Sequence, residues 1–203
     1  QTGQRCTASS RVIVHEKIYD AFVERFVSEM DKLSVGPALD PTTQIGPVVS
    51  DTQLKSNLSY VEIARNEGCE VVSGQHLAER NTGYFQRPGA FLNANNKMRS
   101  SREEIFGPVA SIIKVDDFEE AVATANDTEF GLSSAICTRS LYYAREFKRL
   151  SEAGMAMVNL PTAGVDYHVP FGGRKNSSYG SREQGRAAID FYTTTKTTYS
   201  FAG

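Results

Sequence analysis

The sequence predicts an α/β fold, a layered sheet with helices on its faces. Two observations carry this. The apolar period switches repeatedly between two and 3.6 residues. Runs of branched apolar residues alternate with amphipathic runs, with no internal repeat or low-complexity segment. At 203 residues the chain is one large domain or two small ones, long enough to bury most of a core.

Each element follows from a local signal. Val12 to Val14 is an apolar strand. Ile18, Phe22, Phe26, Met30 and Leu33 then recur at helical spacing, and Gly36-Pro37 ends that helix. Residues 36 to 50 hold Gly36, Pro37, Pro41, Gly46 and Pro47 and predict a long ordered loop. Asp51 or Thr52 can cap a second helix that runs to about Glu67 and stops at Gly68. Glu70-Val71-Val72 is a short strand, and the polar, Gly-rich residues 74 to 90 predict a hairpin or loop excursion.

Val109 to Val115 is a strand, and Asp116 or Asp117 caps a helix over Phe118 to Ala125. Ser133 to Thr138 predicts a strand, Leu141 to Leu150 a helix and Met155 to Val158 a strand. Residues 160 to 182 form a long Gly/Pro/Ser loop, a length often tied to function. A short helix near Glu183 to Phe191 follows. Tyr192 to Phe201 is Thr- and Tyr-rich and predicts an edge strand available to another chain.

Composition excludes several functions. Hydrophobic residues make up 40% and charged residues 23%, as in an ordinary soluble globular chain. The net charge of -2 gives no basic footprint for nucleic acid and no polybasic patch for a membrane. No apolar stretch approaches the roughly 20 residues that span a bilayer. Cys6, Cys69 and Cys137 are odd in number and far apart, which argues against a disulfide framework and fits a reducing, cytoplasmic setting. His15, His76 and His168 are isolated, so no metal site is expected. Asn57-Leu58-Ser59, Asn126-Asp127-Thr128 and Asn176-Ser177-Ser178 match a glycosylation pattern by chance. The first residue is Gln1 rather than Met, as in a truncated or processed product.

Three segments carry candidate chemistry. Cys6, in Gly3-Gln4-Arg5-Cys6-Thr7-Ala8, precedes the first strand and reads either as a nucleophile or as a small buried residue. Gly3 permits a tight turn, and the neighbouring cation Arg5 favours a thiolate. Glu103-Glu104-Ile105-Phe106-Gly107-Pro108-Val109 puts a carboxylate and an aromatic at a loop–strand junction, where α/β sheets bind ligands. Glu104 can accept hydrogen bonds from ribose hydroxyls and Phe106 can lie beside a planar ring; the alternative is a solvated acidic face. Pro170-Phe171-Gly172-Gly173-Arg174-Lys175 reads as an anion clamp or as a solubilised turn, with the turn favoured. No G-x-G-x-x-G or P-loop occurs.

These three segments resemble signatures of the aldehyde dehydrogenase superfamily, in the family's order and at about its spacing. Val35-Gly36-Pro37 through Thr43-Gln44-Ile45-Gly46-Pro47 resembles a fourth family stretch, and together they cover essentially the whole chain. The resemblance implies an open, largely parallel sheet with helices on both faces. Residues 1–191 would be the nucleophile-bearing catalytic domain and 192–203 its oligomerisation strand, in a homodimer or homotetramer.

The resemblance also implies a mechanism. The Cys6 thiolate attacks a small-molecule aldehyde, and hydride passes to NAD or NADP. A thioester remains, which a Glu-activated water hydrolyses. The oxyanion is held by the Cys6 N–H and an Asn side chain. Glu104 matches the glutamate on the nicotinamide-side ribose, and Phe106 matches the aromatic beside it. Arg5 and Thr7 are expected to face the substrate tunnel, and Phe171 matches an aromatic of its mouth.

In the family the cofactor domain, oxyanion Asn and general-base Glu precede the nucleophile, so they are expected to be absent here and the isolated chain inactive. Loss of one oxyanion donor alone costs about 10²–10³ in rate. The Asn159 to Pro170 and Ser178 to Gly185 stretches are similar to members that oxidise 2-oxoglutarate semialdehyde, with succinate semialdehyde next. Arg5 or Arg174 can pair with such a carboxylate, and His168 is a further candidate contact. Two other readings stay open: a non-catalytic oligomerisation module, and a cysteine hydrolase with esterase side activity, which needs a nearby His.

Overall fold

The computed structural model describes residues 1–78 and 83–203. Strand β1 (Arg11–His15) runs parallel to β4 (Val109–Val115), and β4 runs parallel to β3 (Gly89–Ala94). Strand β2 (Glu70–Ser73) joins β3 antiparallel, giving the order β1-β4-β3-β2. A separate parallel pair, β5 (Ser133–Ile136) and β6 (Met155–Val158), forms a second sheet.

Period-two alternation divides the larger sheet into two apolar faces. Val14, Ala90, Leu92 and Ile112 face helix α1 (Tyr19–Asp31) through Tyr19, Phe22, Val23 and Phe26. On the opposite face lie Ile13, Phe91, Ile113 and Val115. They meet Tyr60, Val61 and Ala64 of α2 (Asp51–Asn66) and Ala121 of α4 (Phe118–Asn126). Helices therefore cover both faces of a largely parallel sheet, as expected.

The sequence reading passed over β3, which lies inside the sheet and is buried on both faces. Its alternation breaks at Asn93, whose φ is +57°. Phe91 pairs with Ser111 but Ala94 pairs with Ile113, so three residues oppose two. That bulge returns Ala94 to the face of Phe91. The Asn93 N–H, freed from the ladder, donates to Tyr19 Oη at 3.1 Å.

The second helix is capped by Ser50 rather than Asp51 or Thr52. Ser50 is extended, and its hydroxyl accepts from Gln53 N at 3.2 Å. Gly68, at φ +93°, ends that helix as predicted. Asp117 caps α4 by accepting from Glu120 N at 2.8 Å. The excursion over 74 to 90 has hairpin pairing, with His76 opposite Gln86; its residues 79–82 lie outside the described residues.

Ser140 caps α5 (Leu141–Leu150), which crosses between β5 and β6. Strand β5 ends at Ile136, two residues before the predicted Thr138, because Asn159 takes over the edge there. The expected terminal strand differs in this chain. Tyr192 closes α6 (Ala187–Tyr192), and residues 193–203 have no regular structure among the described residues. Tyr199 and Phe201 stay exposed there.

Candidate functional site

Cys6 sits on a tight turn whose Ala8 N–H donates to Arg5 O at 2.9 Å. A second turn precedes it, closed by Gln4 N to Gln1 O at 2.9 Å, with Thr2 and Gly3 at positive φ. An ideal Cβ on Gly3 falls 1.9 Å from Gly107 O, so only glycine fits that contact. Thr2 Oγ1 donates to Gly46 O at 3.1 Å, and Val49 N donates to Gln4 Oε1 at 3.1 Å. The 36–50 loop thereby becomes a wall of the Cys6 segment. Thr162 Oγ1 donates to Thr7 O at 2.7 Å from a third segment.

Cys6 and Arg5 are exposed. Arg5 lines an open groove of about 630 Å³ with Gln1, Thr2, Gln4, Ala38, Gly46 and Pro47. Thr7 departs from the sequence expectation: only 3% of it is exposed, so it points into the fold. Two consecutive residues of a tight turn diverge, and Cys6 takes the outward direction.

The Glu104–Gly107 turn is the partner of that segment. Glu104 is exposed, Ile105 is buried, and Phe106 adopts φ +57° with 38% of its surface exposed. A left-handed conformation is costly for an aromatic residue and survives only where surroundings enforce it. A buried amide chain does so. Gln53 Nε2 donates to Ile105 O at 2.9 Å and to Asn57 Oδ1 at 2.8 Å. Asn57 Nδ2 donates to Gln86 Oε1 at 2.9 Å, and Gln86 Nε2 donates to Gly74 O at 2.9 Å. Asn57 and Gln86 are fully buried, and a Cβ on Gly107 would fall 2.5 Å from the Asn57 side chain.

Sequence reasoning missed Gln53, Asn57 and Gln86. The available signal was a polar Asn57 on the helix face that also buries Leu54, Val61 and Ala64. At the entry to the turn, Helix α3 (Arg99–Arg102) supplies Arg99, which donates to both oxygens of Glu103 at 2.8 and 3.0 Å, while Tyr60 Oη donates at 2.7 Å. These bonds to Arg99 and Tyr60 pull the Glu103 pKa down to about 2.

Phe171 is half-buried and pairs with Glu183 through both backbone groups. Lys175 does not form an anion clamp. Its Nζ donates to Asn126 O at 2.5 Å and Thr128 O at 3.1 Å and pairs with Glu152 at 2.5 Å. From the other side, Arg11 donates to Thr124 O at 2.7 Å and Ala125 O at 3.0 Å, and Asn96 reaches Asp127 O at 2.6 Å. The carbonyls from Thr124 to Thr128 thus receive one cation from β1 and one from the long loop, as a helix C-terminus favours. Arg174 and His168 are exposed.

The three cysteines are free, and burial raises the Cys69 thiol. Among the described residues no group of three or more His, Cys, Asp or Glu is placed to hold a metal. None of their helices is long and apolar enough to cross a membrane.

The aldehyde dehydrogenase family model matches residues 1–198. An alpha-ketoglutarate semialdehyde dehydrogenase from Haloferax volcanii is 46% identical over 98% of this chain and 42% of its own length. A 2,5-dioxopentanoate dehydrogenase from Saccharolobus solfataricus is 37% identical over 98% of this chain and 41% of its own. The aldehyde dehydrogenase KauB of Pseudomonas aeruginosa superposes with TM-score 0.92 at 38% identity, covering 97% of this chain and 40% of that one. A P. syringae indole-3-acetaldehyde dehydrogenase mutant, solved with NAD+ and IAA, does so with TM-score 0.92 at 36% identity, covering 97% and 40%. The chain spans about two fifths of the length of the curated relatives it matches. On sequence and fold together, the chain belongs to the aldehyde dehydrogenase family.

Proposed function

We propose that these residues are the nucleophile-bearing part of an NAD(P)-dependent aldehyde dehydrogenase. The observation that carries this reading is the Gly3–Gly107 contact. It sets the backbone of the segment that carries Cys6 against the turn bearing Glu104 and Phe106. Cys6 Sγ bonds to the aldehyde carbon, and the carbonyl π pair moves to oxygen, where the Cys6 N–H can meet it. Loss of hydride from that carbon to a bound nicotinamide acceptor would leave a thioester on Cys6, which water would cleave to the carboxylic acid and the free Cys6 thiol.

The turn has groups that suit a nicotinamide dinucleotide. Glu104 presents an exposed carboxylate to ribose hydroxyls, and Phe106 presents ring surface that its locked backbone cannot withdraw. When bound, that cofactor supplies the acceptor for the hydride lost by the aldehyde carbon. The oxyanion Asn, general-base Glu and dinucleotide domain implied by the family are assigned to none of these 203 residues. We therefore expect them to be inactive by themselves.

Arg5, exposed on the groove beside Cys6, favours a substrate with a carboxylate. Phe171 is assigned to the substrate mouth. The semialdehyde of 2-oxoglutarate is the favoured substrate and succinate semialdehyde the next, in keeping with the names of the relatives from H. volcanii and S. solfataricus. The three free cysteines suit a reducing compartment such as the cytoplasm.

In the full-length protein, Cys6→Ser is expected to lower semialdehyde oxidation at least about a thousandfold. Oxidation that survives the substitution ends this reading. A homodimer or homotetramer contact is assigned to residues 192–203, whose Tyr199 and Phe201 are exposed. Light scattering with and without those residues tests it, and an unchanged mass counts against it.

A further inference from the structure

The long loop after β6 reaches the nucleophile through one hydroxyl. It starts at Asn159, which is fixed to the end of β5: Asn159 N donates to Ile136 O at 2.8 Å, and its side chain exchanges two hydrogen bonds with Thr138. Leu160 is exposed at 64% and Tyr167 at 84%, so much of the loop surface gains no burial. Between them Thr162 turns inward and is half-buried.

A threonine hydroxyl has one proton to give and lone pairs to receive with. Thr162 gives its proton to Thr7 O at 2.7 Å. Ser9 Oγ lies 2.9 Å from Thr162 Oγ1, so Ser9 is the donor in that contact. The chain of hydrogen bonds therefore runs from Ser9 to Thr162 to the Thr7 carbonyl.

That carbonyl belongs to the peptide plane whose N–H, on Ala8, donates to Arg5 O at 2.9 Å. One plane is therefore gripped at both ends. Its amide closes the turn across Cys6, and its oxygen is anchored to the loop that leads to Phe171. A peptide unit is rigid, so both bonds fix the same rotation. Releasing the oxygen leaves the plane held only by the Ala8–Arg5 bond, which then opens more readily.

We propose that Thr162 is a positioning residue for Cys6. Its hydroxyl clamps the Thr7–Ala8 peptide, sets the direction of the thiol, and couples the 160–170 loop to the nucleophile. The inference rests on Cys6 as nucleophile for its effect on catalysis, though not for the clamp itself. Neither Thr162 nor Ser9 touches the reacting carbon in this account.

The test uses the full-length protein with Thr162→Val, which keeps the shape and loses the hydroxyl, and Thr162→Ser, which keeps the hydroxyl. Amide hydrogen exchange at Ala8, read by mass spectrometry, is expected to quicken about tenfold in Thr162→Val and to stay at the wild-type rate in Thr162→Ser. In turnover, Thr162→Val is expected to lower kcat about tenfold with KM within about twofold, and Thr162→Ser to restore kcat. Unchanged Ala8 exchange in Thr162→Val, or equal loosening in Thr162→Ser, overturns the proposal. Should Thr162→Val not fold, Ser9→Ala at the exposed end of the chain is expected to quicken Ala8 exchange about threefold, and no change overturns the proposal. If exchange responds as expected while no variant oxidises an aldehyde, the clamp stands and the enzymatic reading fails.

Discussion

The Cys6 segment and the loop at 160–182 are both irregular and glycine-bearing, yet they are held in opposite ways. Residues 1–9 are tied to three other segments, through Gly46 and Val49, through Gly107, and through Thr162. The longer loop is fixed at its base by Lys175 on the α4 carbonyls and by Gly172 against Gly154, while Tyr167 and Tyr179 stand in solvent. On the reading proposed for Cys6 and Phe171, the difference suits two jobs. A nucleophile needs a fixed direction, whereas a substrate mouth can tolerate adjustment at its rim. Thr162 is where the loosely held segment touches the tightly held one.

Glycine substitutions at matching backbone conformations break the comparison most sharply. Gly3 and Gly180 both have positive φ, +66° and +83°. A side chain at either pays the same kind of left-handed cost, on the order of 1 kcal/mol. Only Gly3 meets backbone, with Gly107 O at 1.9 Å, whereas nothing lies within 4 Å of a Cβ on Gly180. Gly3→Ala is therefore expected to lose about 4 kcal/mol, from overpacking added to strain. Gly180→Ala is expected to lose about 1 kcal/mol. Urea denaturation of the two variants measures the gap. Equal losses mean that the Gly3–Gly107 contact relaxes freely and that the Cys6 segment is no tighter than the loop.

Much of this contrast was legible beforehand, for physical reasons that differ between residues. Val109 to Val115 and Met155 to Val158 were read with their observed ends because their runs are apolar and bounded by turn residues. Cys6, Glu104 and Phe106 stood out as chemistry-bearing types beside glycine, and the fold does set their two turns against each other. Thr7 was expected from the resemblance to face a substrate tunnel, whereas here its side chain is buried, because a tight turn sends consecutive side chains apart. The Gln53–Asn57–Gln86 chain joins residues from a helix and a hairpin. No local period announces a partner 29 positions away. Strand β3 was hidden by its own bulge: one extra residue at Asn93 turns period two into noise over six residues.

The last test reads the smallest effect and asks whether the tight region is also held by charge. Glu103 opens the Phe106 turn, and its carboxylate accepts from Arg99 and Tyr60. Those bonds lower its pKa from 4.5 to about 2. A pKa lowered by folding means that the native state binds the proton less well than the unfolded chain. The stabilisation is therefore complete above about pH 4.5 and is lost as pH falls through about 2. The carboxylate is substantially exposed, so solvent screens the pair and the effect is small. Melting temperature followed from pH 6 to pH 2, for wild type and Glu103→Gln, isolates it. The wild type is expected to melt higher at pH 6, with the gap closing toward pH 2, because the glutamine is already neutral and keeps an acceptor for Tyr60. A gap that stays constant across that range assigns the restraint of the Phe106 turn to the buried amide chain and the Gly3–Gly107 contact alone.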